Sequence, residues 1–244
     1  MYSLIGKISI IIQKDLVKAT EEKYELLRKE DNVRSAALME GQEEERKRLA
    51  RELHDGIGQM LTGLKLDSEK LKSLPFINEK QKNSFIEHQK LIDETIEATR
   101  TVSFNLMPSV LTDFGLPSAM RLLTERTANA AGIQATFNDL TENVVLPNNI
   151  ENNLYRITQE ALNNIVKHAK AKKIEVNLSN DKNRNIILFI TDNGKGFDSK
   201  KAKKNKITGN GLGNMQTRVR LLDGTFKIES EINKGTSIFV KIPI

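Results

Sequence analysis

The 244-residue sequence contains no cysteine, no tryptophan and only 5 prolines. Without cysteine, the protein cannot form disulfides, thiolate zinc sites or iron–sulfur clusters, and it cannot use a cysteine nucleophile. This absence also fits a reducing cytoplasm, where we expect the protein to reside. The apolar share of 38% is enough for a sizeable core, and the length suits two modest domains.

A hydrophobic run long enough to cross a membrane is also missing. The apolar patch at residues 4–12 is interrupted by Gly6, Lys7 and Ser9, whereas a spanning helix needs about 20 predominantly apolar residues. The patch is compatible with the inner end of a truncated membrane helix, a helix that pairs with a second copy, or a weak signal-like segment, and the last is disfavoured because no small-residue cleavage site follows. We expect membrane contact only through an N-terminal segment missing from this chain.

The net charge of +6 is concentrated in one segment, 198–210, where five lysines stand with a single acid. A nucleic-acid surface would instead spread basic residues along a face, with aromatic side chains among them. We therefore expect a mobile basic loop and no nucleic-acid partner.

The N-terminal part is predicted to be helical, because residues 13–74 contain no proline and are rich in good helix formers. Up to Met39 the pattern suits either a weak coiled coil or a solvated connector. An apolar stripe then runs from Leu49 to Leu71, and a second periodic stretch spans 79–107. A lone helical hairpin leaves its stripe in water, so we expect a homodimer that forms a four-helix bundle.

Beyond Pro108 helical and alternating patterns succeed one another. Helices are predicted at 116–130, 149–169 and 213–222, and strands at 134–137, 173–178, 185–191, 225–229 and 237–242. This order predicts an α+β fold with a mixed sheet. We divide the chain into a connector (1–42), a dimerisation domain (43–107) and a second folded domain (108–244).

The hairpin carries a histidine beside an acid, His54 and Asp55, and Gln59 follows four residues after the acid. An exposed imidazole is a nucleophile when one nitrogen is held by an acceptor and the other presents its lone pair. Asp55 and Gln59 would share a helix face. Three nearby glycines weaken the helix, which suits either a bend that delivers the histidine or close helix packing. A solvated surface pair is the competing interpretation.

Two further segments suggest nucleotide chemistry. Four residues at helical spacing face one side of a predicted helix: Glu160, Asn164, Lys167 and His168. The opposite face, predicted to be buried, includes Ile157, Leu162 and Val166. Oxygen ligands suit Mg²⁺, while a lysine and a histidine suit phosphate, although a polar solvent face is equally compatible.

The strand before Asp192 ends in Asp-Asn-Gly-Lys-Gly, and Gly209-Asn-Gly-Leu-Gly precedes a helix. The acid suits an exocyclic amine and the helix start suits phosphate, but the first motif is also an ordinary turn sequence. A dinucleotide fingerprint is disfavoured because no buried parallel strand feeds the glycines directly.

In this order the motifs resemble the cytoplasmic half of bacterial sensor histidine kinases of two-component systems. The His-Asp-x-x-x-Gln spacing is similar to the NarX/DesK-like subfamily. The resemblance covers residues 43–244 and departs from the family at Leu222-Asp223-Gly224, where Leu-Gly-Gly is expected. It implies a histidine phosphotransfer hairpin followed by an α/β-sandwich ATP-binding domain of the GHKL (Bergerat) type.

The resemblance also implies roles for individual residues. His54 would be the phosphoacceptor, Asp55 the base that orients it, and Gln59 a positioner of water in dephosphorylation. Asn164 would be the Mg²⁺ ligand. The remaining ATP contacts implied are Glu160, Lys167, His168, Asp192, Gly194, Gly196, Gly211, Leu212, Gly213 and Thr236. The basic loop falls where the family has its mobile lid.

The function implied is ATP-dependent autophosphorylation, phosphotransfer to the receiver domain of a response regulator, and dephosphorylation of that receiver. Two alternatives are a scaffold that uses ATP only as a conformational ligand and a gyrase- or Hsp90-like ATPase. Retention of His54 and Asn164 argues against the scaffold. The ATPase alternative leaves a histidine in the dimer hairpin unexplained.

Overall fold

The computed structural model describes residues 2–141, 144–182, 184–198 and 210–244. The predicted basic lid, 198–210, therefore lies almost wholly outside the described residues. The chain divides into two units, up to residue 48 and from residue 49 onward. The predicted domain boundaries at 42/43 and 107/108 stay predictions.

The N-terminal half is helical, as predicted. Helix α1 spans Tyr2–Glu52 and runs into a π turn at Leu53–Gly58, after which α2 covers Gln59–Leu71. Helix α3 spans Glu79–Leu106. Its N-cap is Asn78, whose side chain accepts a hydrogen bond from the Gln81 N–H. This cap satisfies one of the free N–H groups of the first turn. In the part of the chain that the structure describes, none of the helices has the length of apolar sequence needed to span a bilayer.

The described residues of the C-terminal half form three helices and five strands. The helices are α4 (Ser109–Ala131), α5 (Asn148–Asn164), which continues into a second π turn at Ile165–Ala169, and α6 (Asn210–Arg220). The strands are β1 (Gln134–Leu140), β2 (Lys173–Asn180), β3 (Asn185–Asp192), β4 (Thr225–Glu231) and β5 (Gly235–Pro243).

These strands form one sheet in the order β1-β2-β3-β5-β4. The β1–β2 pair is parallel and the other pairs are antiparallel. The predicted α+β fold with a mixed sheet is therefore confirmed.

The core lies between one face of this sheet and the helices. Alternate residues of the central strands are buried, for example Ile186, Leu188 and Ile190 of β3, and they pack against residues such as Leu154 of α5 and Met215 of α6. Each such side chain contributes about 1.5–3 kcal/mol by burial. The helices that carry the candidate nucleotide motifs are thus fixed to the sheet by their apolar faces.

Two helix starts differ from the prediction. Helix α4 begins at Ser109, and Gly115 interrupts it with a φ of 76°, a conformation that costs glycine little. A Glu151 carboxylate oxygen accepts from the Leu116 N–H at 3.4 Å, at the start of the second part. Helix α6 begins at Asn210, so the glycines lie inside its first turns. Asp223 adopts a φ of 53° in the turn before β4, the region that the expected glycine would favour.

Candidate active site

The His54–Asp55 pair lies on the first π turn. His54 Nδ1 lies 3.0 Å from Asp55 Oδ1, and the two side chains are 77% and 67% exposed. When Nδ1 carries the proton that Asp55 accepts, Nε2 presents its lone pair to solvent. The exposed imidazole predicted from the sequence is therefore present, held by its neighbour and open to an incoming electrophile.

The π turn itself was not predicted. It fits one more residue into the turn than an α-helix does, so the shared face expected for Asp55 and Gln59 is shifted from its α-helical phase. A side chain added at Gly56 or Gly63 would meet no other atom within 4 Å. Close packing within one chain therefore does not require these two glycines.

On the nucleotide side, α5 and the first turn of α6 meet at Glu160. The Asn164 amide donates to Glu160 Oε1 at 3.4 Å, and a Cβ at Gly211 would overlap that same carboxylate oxygen. Both side chains are half-buried. The structure thus brings the acid and the amide of one predicted motif next to the glycine-bearing helix start of another.

Asp192 forms a second cluster at the end of β3. It is buried, and its Oδ1 accepts from the Gly194 N–H at 2.7 Å. Thr236 is its register partner on β5 and donates from both its N–H and its hydroxyl. Burial raises the pKa of Asp192, and the hydrogen bonds from Gly194 and Thr236 oppose the rise.

Gly194 connects this cluster to α5. A Cβ there would overlap the carbonyl oxygen of Ala169, the last residue of the second π turn, and the Lys195 N–H donates to the same oxygen at 2.7 Å. Gly194 is therefore needed for the close approach of the β3 turn to the end of the helix that carries Glu160 and Asn164.

Sequence reasoning did not single out Ser230. Its Oγ lies 3.0 Å from Thr236 Oγ1 and accepts from the Phe197 N–H at 2.9 Å. It also donates to the Gly235 carbonyl oxygen at 3.0 Å. Ser230 thereby ties the Asp192 cluster to the β4–β5 turn. Its pairing with Thr236 across that turn was the available signal.

The structure connects the other predicted site residues less directly to the Glu160 and Asp192 clusters. Lys167 and His168 are exposed on the second π turn, which departs from the predicted α-helical face. Val166 was predicted to be buried but is 43% exposed, because the π turn alters the phase of the helix. Leu212 packs partly against the core. A Cβ at Gly213 would meet nothing within 4 Å.

Gly196 provides a test of this geometry. Its φ is +56°, and a Cβ would overlap the Glu231 carbonyl oxygen, so Gly196→Ala should lower the free energy of unfolding by about 2 kcal/mol or more. Gly213→Ala is the matched control, because its added methyl meets open space and raises helix propensity by up to about 1 kcal/mol. Urea denaturation of both variants measures the difference; equal stabilities would contradict the turn as described.

The donor set bears on metal binding. Within the described ranges, no three His, Asp or Glu side chains gather as a metal centre. Glu160 and Asn164 nevertheless lie side by side on one helix, with the Asn164 amide nitrogen 3.4 Å from Glu160 Oε1, and both side chains carry the hard oxygen donors that Mg²⁺ prefers. These two residues fit a magnesium ion that takes its other ligands from phosphate and water.

Comparison with known proteins decides the family. Residues 45–111 match the family described as "Histidine kinase", and residues 149–244 match "Histidine kinase-, DNA gyrase B-, and HSP90-like ATPase". The chain belongs to the sensor histidine kinases. The two matched segments contain, respectively, the His54 pair and both nucleotide clusters, and the predicted NarX/DesK-like subfamily is confirmed.

Two curated relatives illustrate the similarity. "Oxygen sensor histidine kinase NreB" of Staphylococcus carnosus is 37% identical over 83% of this chain and 57% of its own length. "Signal transduction histidine-protein kinase/phosphatase DegS" of Bacillus subtilis is 36% identical over 85% of this chain and 55% of its own length. The chain therefore spans little more than half of these relatives.

Among solved structures, the "Histidine kinase domain from Erythrobacter litoralis EL346 blue-light activated histidine kinase" is 14% identical, with a TM-score of 0.46. That match covers 75% of this chain and 95% of the solved chain.

Proposed function

We propose that this chain transfers the γ-phosphoryl group of ATP to His54 and passes it to an aspartate on the receiver domain of a response regulator. The observation that carries the proposal is the exposed His54 imidazole held through Nδ1 by Asp55. It occurs in the same chain as a domain that matches the histidine kinase-, DNA gyrase B- and HSP90-like ATPases, and ATP held by that domain would be the phosphate donor.

In the transfer step, Nε2 of His54 forms a bond to the γ-phosphorus while the bond from that phosphorus to the β,γ-bridging oxygen breaks. ADP leaves with the bond electrons. Asp55 keeps the proton on Nδ1 and stabilises the positive charge that develops on the ring. Phosphoryl transfer requires mainly positioning and charge neutralisation, so the protein's main task is to bring ATP and His54 together.

We place ATP against the two clusters. Asp192 accepts from the adenine amino group, with Thr236 beside it, and Gly194 and Gly196 shape the turn that lines the base. Asn164 would hold Mg²⁺, with Glu160 next to Asn164, and the bound ion would supply positive charge to neutralise the phosphates. The phosphates approach the start of α6 at Gly211, Leu212 and Gly213, while Lys167 and His168 supply nearby cationic or donor groups.

A homodimer is part of the proposal. Apolar residues of the hairpin that are half or more exposed in the single chain include Met60, Leu64 and Leu71 of α2 and Leu91 and Val102 of α3. Within each helix these residues lie four, seven or eleven positions apart, so they share one helix face. Exposed apolar surface of this extent marks an interaction site, and a second copy of the same hairpin would bury it as a four-helix bundle.

Incubation with γ-labelled ATP and Mg²⁺ tests the function. Acid-labile label on the protein is the expected result, because a phosphoramidate hydrolyses in acid. ATP binding without label would instead favour the scaffold alternative. Free phosphate without a labelled protein would favour a simple ATPase.

Gln59 should separate the forward and reverse reactions. Gln59→Ala should keep autophosphorylation and transfer to the receiver, because neither step uses water. Loss of the water-positioning amide should slow receiver dephosphorylation by about 10-fold or more. The measurement is the decay of phosphorylated receiver mixed with each variant in the presence of ADP or a non-hydrolysable ATP analogue.

Gln89→Ala, an exchange of a half-buried glutamine on α3, is the control and should dephosphorylate the receiver at the wild-type rate. If Gln59→Ala also matches wild type, Gln59 does not position water.

A further inference from the structure

The C-terminal end of α3 is held by side chains from α5. The Arg156 guanidinium is buried, with 6% of the residue exposed, and its two Nη atoms donate to the carbonyl oxygens of Asn105 at 3.2 Å and Leu106 at 2.5 Å. Gln159 Nε2 donates to the Asn105 carbonyl oxygen at 3.0 Å, and its Oε1 accepts from Arg156 at 2.9 Å. We call these two side chains and two carbonyl groups the α3 clamp.

The chemistry of the clamp follows from the end of the helix. The last carbonyl groups of an α-helix have no partner within the helix and carry a partial negative charge. A guanidinium offers five donors in a fixed plane and stays charged at all relevant pH values. Arg156 therefore satisfies these carbonyl groups, and they in turn compensate its buried charge. The contact joins residues about 50 positions apart in the sequence.

A second arginine contacts the same helix end. Arg126 of α4 lies over the ring of Phe104, 4.3 Å from the centroid. Beside these contacts, α3, α4 and α5 leave an open cleft of about 720 Å³, lined among others by Phe104, Arg126 and Val166. Because the junction is not closely packed throughout, its polar contacts carry much of the connection between the hairpin and the ATP-binding domain.

The two clamp side chains lie on the same helix, α5, as the nucleotide-site residues Glu160 and Asn164. Gln159 immediately precedes Glu160, and Arg156 lies two turns before Asn164. The chain between hairpin and ATP-binding domain is extended at Met107 and Pro108. Without the clamp, the ATP-binding domain could turn about these two residues. With the clamp in place, α5 is fixed to the end of α3. Helix α3 in turn packs against the π turn that carries His54.

We propose that Arg156 and Gln159 are positioning residues for phosphoryl transfer: they fix the nucleotide helix α5 to the end of α3 and so restrict where ATP can approach His54. The proposal rests on the function proposed above. Restricting the relative positions of two reactants raises the rate of their reaction without changing the affinity of either site. Loss of the clamp should therefore lower kcat and leave KM for ATP unchanged.

The test compares autophosphorylation kinetics of the full chain across four variants. Arg156→Met and Gln159→Met remove the donors while keeping a long side chain, and we expect kcat to fall by about 10-fold or more with KM for ATP within about threefold. Arg156→Lys keeps the charge and should restore part of the loss. Arg100→Gln is the control, because Arg100 pairs with Glu97 on its own helix and should label as wild type.

Hydrogen exchange of the α3 end provides a readout independent of activity. Exchange of the last-turn amides, including the Met107 N–H that donates to Ser103, should accelerate in both methionine variants. Thermal unfolding checks that they fold, and if Arg156→Met unfolds, Gln159→Met alone carries the test.

Each failure has a different signature. Wild-type protein that takes no label contradicts the proposed function. Labelled wild type with unchanged kcat in Gln159→Met and Arg156→Met overturns the positioning role alone. A rise in KM for ATP in proportion to the fall in kcat also overturns it, because the residues would then serve the nucleotide pocket. A kcat above the wild-type value in the two methionine variants overturns it as well, because the clamp would then slow phosphoryl transfer in the wild type.

Discussion

His54→Gln should abolish autophosphorylation while leaving ATP affinity within about threefold, a difference of only about 0.65 kcal/mol. Glutamine keeps a polar side chain on the exposed π turn but has no nucleophilic ring nitrogen. None of the hydrogen bonds that build the two nucleotide clusters involves His54. Acid-labile label from γ-labelled ATP and a fluorescent ATP-analogue titration measure the two quantities.

The chain supplies its own control for this experiment. His88 is an exposed histidine on α3, so His88→Gln makes the same chemical change elsewhere on the hairpin and should label as wild type. Asp55→Ala should slow labelling because it removes the acceptor on His54 Nδ1. Label retained in His54→Gln would show that another residue is the phosphoacceptor.

Asp192→Asn should weaken ATP binding by about 10- to 100-fold, because a hydrogen bond to a charged acceptor contributes about 1.5–3 kcal/mol and the variant loses that charge. The dimer should survive, since the hairpin is unaltered. Calorimetric titration with ATP measures the loss. Asp223→Asn is the control: Asp223 is exposed in the turn before β4, and asparagine tolerates its left-handed backbone.

The Asn164→Asp variant tests the other cluster. It should remove ATP turnover by replacing the amide with a second carboxylate beside Glu160, where two negative charges would repel phosphate. Unchanged ATP binding and activity in both Asp192→Asn and Asn164→Asp would contradict the pocket as proposed.

Asp192 also sets a pH dependence. Burial raises its pKa above the ordinary value of 3.8, so ATP affinity should fall as the pH is lowered through this raised pKa, earlier than for an ordinary aspartate. The contribution of Asp192 to the free energy of unfolding changes with pH in the opposite direction to its contribution to ATP affinity. Because the folded pKa exceeds the unfolded one, that contribution is present below the unfolded pKa and is lost as pH rises through the folded pKa. Asp192→Asn should therefore not destabilise the fold at neutral pH.

Local patterns in the sequence were enough to locate most elements. Alternating apolar residues placed β2 and β3 within two residues of their observed bounds, because a strand with one buried face repeats every second residue. The break at Pro75 and the stop at Pro108 defined the hairpin, since proline cannot continue a helix interior. The motif order was also sufficient to recognise the family.

The two π turns could not be read from residue spacing. A π turn forms when one extra residue is accommodated within a helix, and no residue pattern in these segments distinguishes it from α-helix. For this reason the shared face of Asp55 and Gln59 and the burial of Val166 were predicted with α-helical phase. Val166 is consequently exposed, and Lys167 lies beside the cleft between α3, α4 and α5.

The sequence by itself determined which residue types carry the chemistry: an exposed histidine beside an acid, an acid and an amide one helical turn apart, and glycines at two turns. The tertiary structure alone decided their long-range partners. The register of β3 with β5 brings Thr236 to Asp192, the packing of α6 on α5 brings Gly211 to Glu160, and Arg156 reaches the end of α3. Such contacts depend on how distant segments pack, and local spacing carries no information about that packing.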